Sequence, residues 1–98
     1  MLNGGTAMAR IEIRSGRTGR PLRALREKDG KYFVKIGGAY GEGKWHEIPW
    51  TEVEALIERF AKKGHKFYVV SIEYSPYADD YGYFEHEVSP EEALEELW

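Results

Sequence analysis

"LRALREKDGKYFVKI", residues 22–36, reads as two strand-like runs joined at Asp29-Gly30. Asp-Gly is a strong two-residue hairpin signal, because the turn that matches strand twist needs positive φ at both central positions. Placing the turn there sets the register: Lys28 faces Lys31, Glu27 faces Tyr32, Arg26 faces Phe33 and Leu25 faces Val34. Side chains alternate between faces along each strand. One face therefore collects Arg23, Leu25, Glu27, Tyr32, Val34 and Ile36, which is mostly core material. The other collects Leu22, Ala24, Arg26, Lys28, Lys31, Phe33 and Lys35, a basic surface with an aromatic ring in its middle.

Upstream, "ARIEIR" (9–14) alternates Ile11 and Ile13 with Arg10, Glu12 and Arg14, the pattern of a half-buried strand. "SGRTGRP" (15–21) holds two glycines and a proline and reads as a flexible loop carrying Arg17 and Arg20. Arginine recurs at 14, 17, 20, 23 and 26, but a period of three suits neither a strand face nor a helix face. The arginines are thus not one strip: Arg26 points outward with the basic face, and Arg23 turns to the other side.

Downstream, "GGAYGEG" (37–43) is too glycine-rich for an element interior and is expected to be a mobile loop, followed by a short strand "KWHEI" (44–48). A helix over about 51–63 is expected next. Thr51 and Glu54 have capping-box spacing, and Val53, Leu56, Ile57, Phe60 and Ala61 share one helical face. Gly64 is placed to end it. "KFYVVSIEY" (66–74) should be a central strand, "SPYADDYG" (75–82) a turn, and "YFEHEV" (83–88) its partner strand. "SPEEALEELW" then ends the chain in a short helix of about 90–97, with Ser89 as cap, Pro90 at the first position and Glu92 completing a capping box. The expected fold is α+β, an antiparallel sheet of five to six strands in the order ββββαββα, with the longer helix packed on it. Residues 8–98 form the single domain and 1–7 a flexible tail, with Met8 a second candidate start.

A chain of 98 residues with 42% apolar content suits one modest core. It has no cysteine, which removes disulfides, thiolate zinc sites and a cysteine nucleophile. The run "FYVV" is far short of the roughly 18 apolar residues that span a bilayer, and the N-terminus lacks a secretory pattern, so a cytoplasmic protein is expected. The net charge of −3 conceals a gradient. Residues 1–35 carry nine Lys/Arg against three acids, and residues 66–98 carry one lysine against nine acids. Such asymmetry points to nucleic acid or a charged partner, or to the two ends neutralising each other within one chain or across a dimer.

The segment "KDGKYFVKIGGAYGEGKWHEIPWTEVEALIERFAKKG" (28–64) resembles the whirly-type and Pur-repeat single-stranded nucleic-acid-binding modules, and the likeness extends over about residues 10–64. In those modules four antiparallel strands lead into one helix, and the curved sheet binds single strands through basic and aromatic residues, often as a dimer. The resemblance implies contact roles for Arg26, Lys28, Lys31, Phe33, Lys35 and Lys44, with Trp45 a further stacker. The β-β-α unit at the C-terminus departs from the pattern.

These readings converge on a non-enzymatic protein, expected as a homodimer, that binds single-stranded DNA or RNA without a cofactor or metal. Cations follow phosphates and an aromatic face stacks a base. The candidate contacts are Arg10, Arg14, Arg17, Arg20, Arg26, Lys28, Lys31, Phe33, Lys35, Lys44 and Trp45. The plainer alternative is a solvated strand face, with Phe33 packed under the C-terminal helix. A second functional reading rests on residues 73–87, which hold five aromatics and five acids. Tyrosine gives large contact area at small entropic cost. Tyr77, Asp79, Asp80, Tyr81, Tyr83 and Glu85 would then meet a protein partner, as in a small inhibitor encoded by a mobile element. "GAYGEGK" has the spacing of a phosphate-binding loop but lacks the following Ser/Thr and helix. His86 between Glu85 and Glu87 is no ligand set, since alternation sends the glutamates to the opposite face.

Overall fold

The computed structural model describes the chain from Ala7 to Trp98, with side chains from Ala9. The elements are β1 (Ala7–Arg14), β2 (Pro21–Lys28), β3 (Lys31–Ile36), β4 (His46–Ile48), α1 (Trp50–Lys62), β5 (Lys66–Ser75), β6 (Asp80–Val88) and α2 (Pro90–Leu97). They build an α+β fold: one six-stranded antiparallel sheet in the spatial order β4-β3-β2-β1-β5-β6, with two helices. The expected order ββββαββα is the observed one. Of the expected tail, Ala7 already belongs to β1, opposite Glu73, and the rest lies outside the described residues.

The β2–β3 hairpin carries the register read from Asp29-Gly30, pair for pair, and extends it to Ala24 opposite Lys35 and Arg23 opposite Ile36. Asp29 and Gly30 take φ of 55° and 77°, the left-handed values that the turn demands. The Glu27 carboxylate accepts the Gly30 N–H at 2.8 Å and closes the turn.

Both helices cover the sheet face that bears Ile11, Ile13, Leu25, Phe67, Val69 and Val88. Val53, Leu56, Ile57 and Phe60 of α1, with Ala93 and Leu97 of α2, complete that core. Each fully buried Leu, Ile or Phe contributes about 1.5–3 kcal/mol. Phe33 points the other way, so its expected alternative place beneath α2 is not what forms. Instead α2 ends on Trp98, whose ring stacks on Trp50 at 5.1 Å, and Trp50 meets Tyr32 at 4.9 Å.

That aromatic stack also corrects the start of α1. Trp50 is its first residue and Pro49 its N-cap, with no side-chain capping bond, so the Thr51–Glu54 box does not form. The Pro49 carbonyl already accepts the N–H groups of Glu52 and Val53, which puts Thr51 inside the first turn instead of before it. The other end follows the sequence. Gly64 has φ 83°, its N–H reaches the Ala61 carbonyl, and the His65 N–H reaches that of Phe60. This paired closure is the Schellman motif. In α2 the Ser89–Glu92 capping box is present in both directions. The "KWHEI" strand is shorter than expected, since β4 begins at His46 and leaves Lys44 and Trp45 to the preceding loop.

Candidate nucleic-acid interface

The sheet face turned away from the helices presents Arg10, Glu12 and Arg14 from β1, Ala24 and Arg26 from β2, and Phe33 and Lys35 from β3. Strands β5 and β6 add Tyr68, Val70, Tyr83 and Glu85 to it. Loop 37–45, of which residues 37–43 are expected to be mobile, is strapped across this face. Ala39 is buried, and its N–H donates to Glu12 Oε2 at 2.7 Å. Lys35 Nζ donates to the Gly41 carbonyl at 2.6 Å. Tyr40 lies edge-on to the Tyr83 ring at 6.0 Å. A second, small core results from Ala24, Ala39 and Val70, flanked by Trp45 and Tyr68. The glycine at 38 permits the close approach, because a Cβ there would sit 3.0 Å from Glu12 Oε2 and 3.5 Å from Pro21.

The loop returns to the sheet at Trp45, where the cations gather. Arg26 Cζ lies 4.4 Å from the indole centroid, Lys35 Nζ 5.1 Å and Arg10 Cζ 5.7 Å. Arg26 also lies 5.5 Å from the Phe33 ring, and Arg10 lies 6.0 Å from Tyr40. The negative face of each ring attracts a cation by about 0.5–2 kcal/mol, depending on solvation. The rings do not abolish repulsion among the cations. Burial holds the Arg10 pKa below its ordinary value, and the neighbouring Arg26 adds to the effect. Burial likewise lowers that of Lys35, reinforced by Arg10 and Arg26 and opposed by Glu12. The Nε atoms of Arg10 and Arg26 are buried and hydrogen-bond to no other group among the described residues. Three positive groups thus share one aromatic-lined site, chemistry suited to an anion.

The remaining expected contacts divide. Arg14 is engaged within the molecule: its Nε binds Glu12 at 2.6 Å, its terminal nitrogen pairs with Glu85, and its Cζ stacks on Tyr68 at 4.2 Å. Burial works against its charge, but the bonds and charges of Glu12 and Glu85 outweigh it and hold its pKa above the ordinary arginine value. Lys35 is 2% exposed. Lys28 and Lys31, opposite each other beside the turn, are exposed, as is Lys44. Arg17 and Arg20 are exposed too, but at the opposite end of the sheet, away from the Trp45 cluster. Their loop is tied rather than loose: Ser15 Oγ accepts the N–H groups of Arg17 and Thr18, and Gly16 donates to His65 Nδ1 at 3.2 Å.

On the β5–β6 hairpin, Tyr77 is 100% exposed, Tyr81 68% and Tyr83 53%. Asp79 accepts the Tyr74 hydroxyl, and Asp80 accepts the Tyr81 N–H at 2.7 Å. Neutralisation between the basic and acidic ends is realised at the Arg14–Glu85 pair. "GAYGEGK" runs into β4 and not into a helix. Among the described residues, no group of three His, Asp or Glu side chains could hold a metal ion, and no helix is long and apolar enough to cross a membrane. A cavity of about 310 Å³ between α2 and β1 is bordered by Glu27, Glu95 and Glu96 and lies on the helix side, apart from the cations but for Arg10.

Sequence reasoning missed Glu12, Ala39 and Tyr40 as parts of this site. A signal was available for Glu12: an acid at an outward strand position between two arginines implies a donor to satisfy. Comparison with protein-family models, curated proteins and solved structures finds no match, so the fold and the site stand on their own geometry.

Proposed function

We propose that the protein binds single-stranded nucleic acid, without chemistry, at the sheet face around Trp45. The observation that supports this most is the convergence of Arg10, Arg26 and Lys35 on one indole, with Phe33 beside Arg26. A phosphate accepted beside Arg26 would offset the repulsion among the three cations. Phosphate contacts then fall to Arg26, Lys28, Lys31 and Lys44, and Phe33 supplies the stacking face. Arg14 and Lys35 act by holding the surface, through Glu12 and the Gly41 carbonyl. The likeness of residues 10–64 to whirly-type and Pur-repeat modules belongs to this reading.

The test is titration of a fluorescein-labelled oligothymidylate at about 50 and 200 mM salt. Four phosphate contacts give a log–log salt slope of about −3 for a single strand. Loss of one stacked base costs about 1–3 kcal/mol, so Phe33→Ala should weaken binding about 5- to 150-fold, and more for the single strand than for duplex. No binding at either salt concentration would sink the proposal, and equal losses on single strand and duplex would remove the stacking role.

A second reading is favoured by the full exposure of Tyr77 together with Tyr81 and Tyr83 on an acidic hairpin. There the functional surface is a protein-binding one made by Tyr77, Asp79, Asp80, Tyr81, Tyr83 and Glu85. Under it, Tyr77→Ala and Tyr81→Ala impair function while Phe33→Ala leaves it intact.

A further inference from the structure

The two edges of the sheet differ. At one, β4 is three residues long, too short to template another chain. At the other, β6 is nine residues long and pairs with β5 at every position from Asp80 to Val88 without a bulge. Long regular edges are normally blunted by charged side chains, lysine above all, by proline or by a bulge, and the charges of β6 are the carboxylates Asp80, Glu85 and Glu87. The strand has no lysine, proline or bulge. Its outer side presents backbone donors and acceptors that β5 leaves unpaired.

The alternation of those groups follows from the turn. The Tyr81 N–H is taken by the Asp80 carboxylate and so does not point into the β5 ladder. In an antiparallel strand the inward and outward backbone groups alternate by residue. Tyr81, Tyr83, Glu85 and Glu87 therefore direct their backbone groups to the free edge, while Gly82, Phe84 and His86 bond to β5. The side chains of the first four lie on the face with Arg14 and Tyr40, and that of Phe84 lies on the helix side, 52% exposed.

From this pattern we infer that the free edge of β6 pairs antiparallel with the β6 edge of a second copy, with the two-fold axis at Phe84. This register is the one in which all nine residues face a partner, with the Asp80 carboxylate giving up the Tyr81 N–H to the second strand. It sets Tyr83 against Glu85 of the second copy, Tyr81 against Glu87, Asp80 against Val88, and Gly82 against His86, each pair occurring twice. Phe84 faces its own copy on the axis. No acid faces an acid, and Glu85 is already neutralised by Arg14 within its own chain. Shifting the axis by one residue to Glu85 would oppose two carboxylates on the axis, which cross-strand pairing disfavours. The pairing makes one twelve-stranded sheet, with all four helices on one side and both Trp45 clusters on the other.

The chain has no cysteine, so a single introduced thiol is a clean probe. On the axis, position 84 forms a non-hydrogen-bonded pair with Cα atoms about 4.5 Å apart, within disulfide range. Under mild oxidation, Phe84→Cys should give a covalent dimer of twice 11.3 kDa, whereas Tyr77→Cys, in the turn and off the interface, should not. Sedimentation of the unaltered protein across a concentration series should show reversible dimerisation, and Phe84→Lys, which sets two cations on the axis, should weaken it at least tenfold. Raising the salt concentration should leave dimerisation unchanged or tighten it, since the edge is acidic. A protein that stays monomeric throughout overturns the inference, as does a Tyr77→Cys variant that crosslinks as readily as Phe84→Cys. Dimerisation that collapses as salt rises also overturns it, and points to the acidic hairpin docking on the basic face of another copy.

Discussion

Glu12→Gln is the sharpest probe of the surface assembled around Trp45. The Glu12 side chain is buried, and its two oxygens serve two donors: Oε1 takes Arg14 Nε at 2.6 Å and Oε2 takes the Ala39 N–H at 2.7 Å. Glutamine keeps the shape but offers one acceptor oxygen, and its amide nitrogen must then face a donor. Whichever way the amide turns, either the buried Ala39 N–H or the part-buried Arg14 Nε loses its partner, at a cost of about 1–3 kcal/mol. The bond that survives changes from charge-assisted to neutral, losing about 1 kcal/mol more. The total is about 2–4 kcal/mol. With a urea slope of about 1–3 kcal/mol per molar, the unfolding midpoint should fall by about 0.7–4 M with the slope unchanged. In either orientation the Ala39 N–H loses its charge-assisted bond, so hydrogen exchange at that amide should accelerate. A midpoint shift below about 0.3 M, with Ala39 still protected, would refute the claim that this carboxylate straps loop 37–45 to the sheet.

Three other consequences can be measured alongside it. The Glu92 carboxylate, held by the backbone and side chain of Ser89, has its pKa below the ordinary 4.5; the stability it contributes is therefore present above that value and is lost as pH falls through the lower folded one. Glu92→Gln should flatten the acid limb of a stability–pH profile in that window, and Ser89→Ala should cost about 1 kcal/mol in urea unfolding at neutral pH. Gly16→Ala would drive a Cβ to 2.1 Å from the Gly64 carbonyl oxygen, so the β1–β2 loop must move, with a thermal midpoint lowered by several degrees. Leu25→Ala, in the centre of the helix-side core, should cost about 2–5 kcal/mol and leave oligonucleotide affinity per folded molecule unchanged, separating core from surface effects.

The fold was legible because its determinants are local. Asp29-Gly30 set the hairpin register through backbone conformation alone, and Gly64 and Ser89 marked helix ends by the same kind of short-range chemistry. The start of α1 failed to follow the Thr51–Glu54 spacing for a non-local reason. Trp50 meets the tilted rings of Tyr32, from a strand, and Trp98, at the end of α2, and sequence spacing is blind to such contacts.

The candidate site was half legible, and the boundary is physical. Alternation put Arg26, Phe33 and Lys35 on one face with the outward Arg10, and the structure gathers Arg10, Arg26 and Lys35 about Trp45. What alternation cannot give is the fate of a glycine-rich loop, whose path depends on long-range partners. Here a buried acid 27 residues away receives the Ala39 N–H. That single bond changes the meaning of the basic face. A sheet of free arginines would be a solvated surface, each charge spending its energy on water. With loop 37–45 laid over Glu12, Lys35 loses water, Arg10 is partly covered, and both are pressed toward Arg26 across the indole of Trp45. The loop thus concentrates charge where the strand pattern alone would have spread it. The physical case for anion recognition rests on that concentration and not on the number of basic residues in the chain.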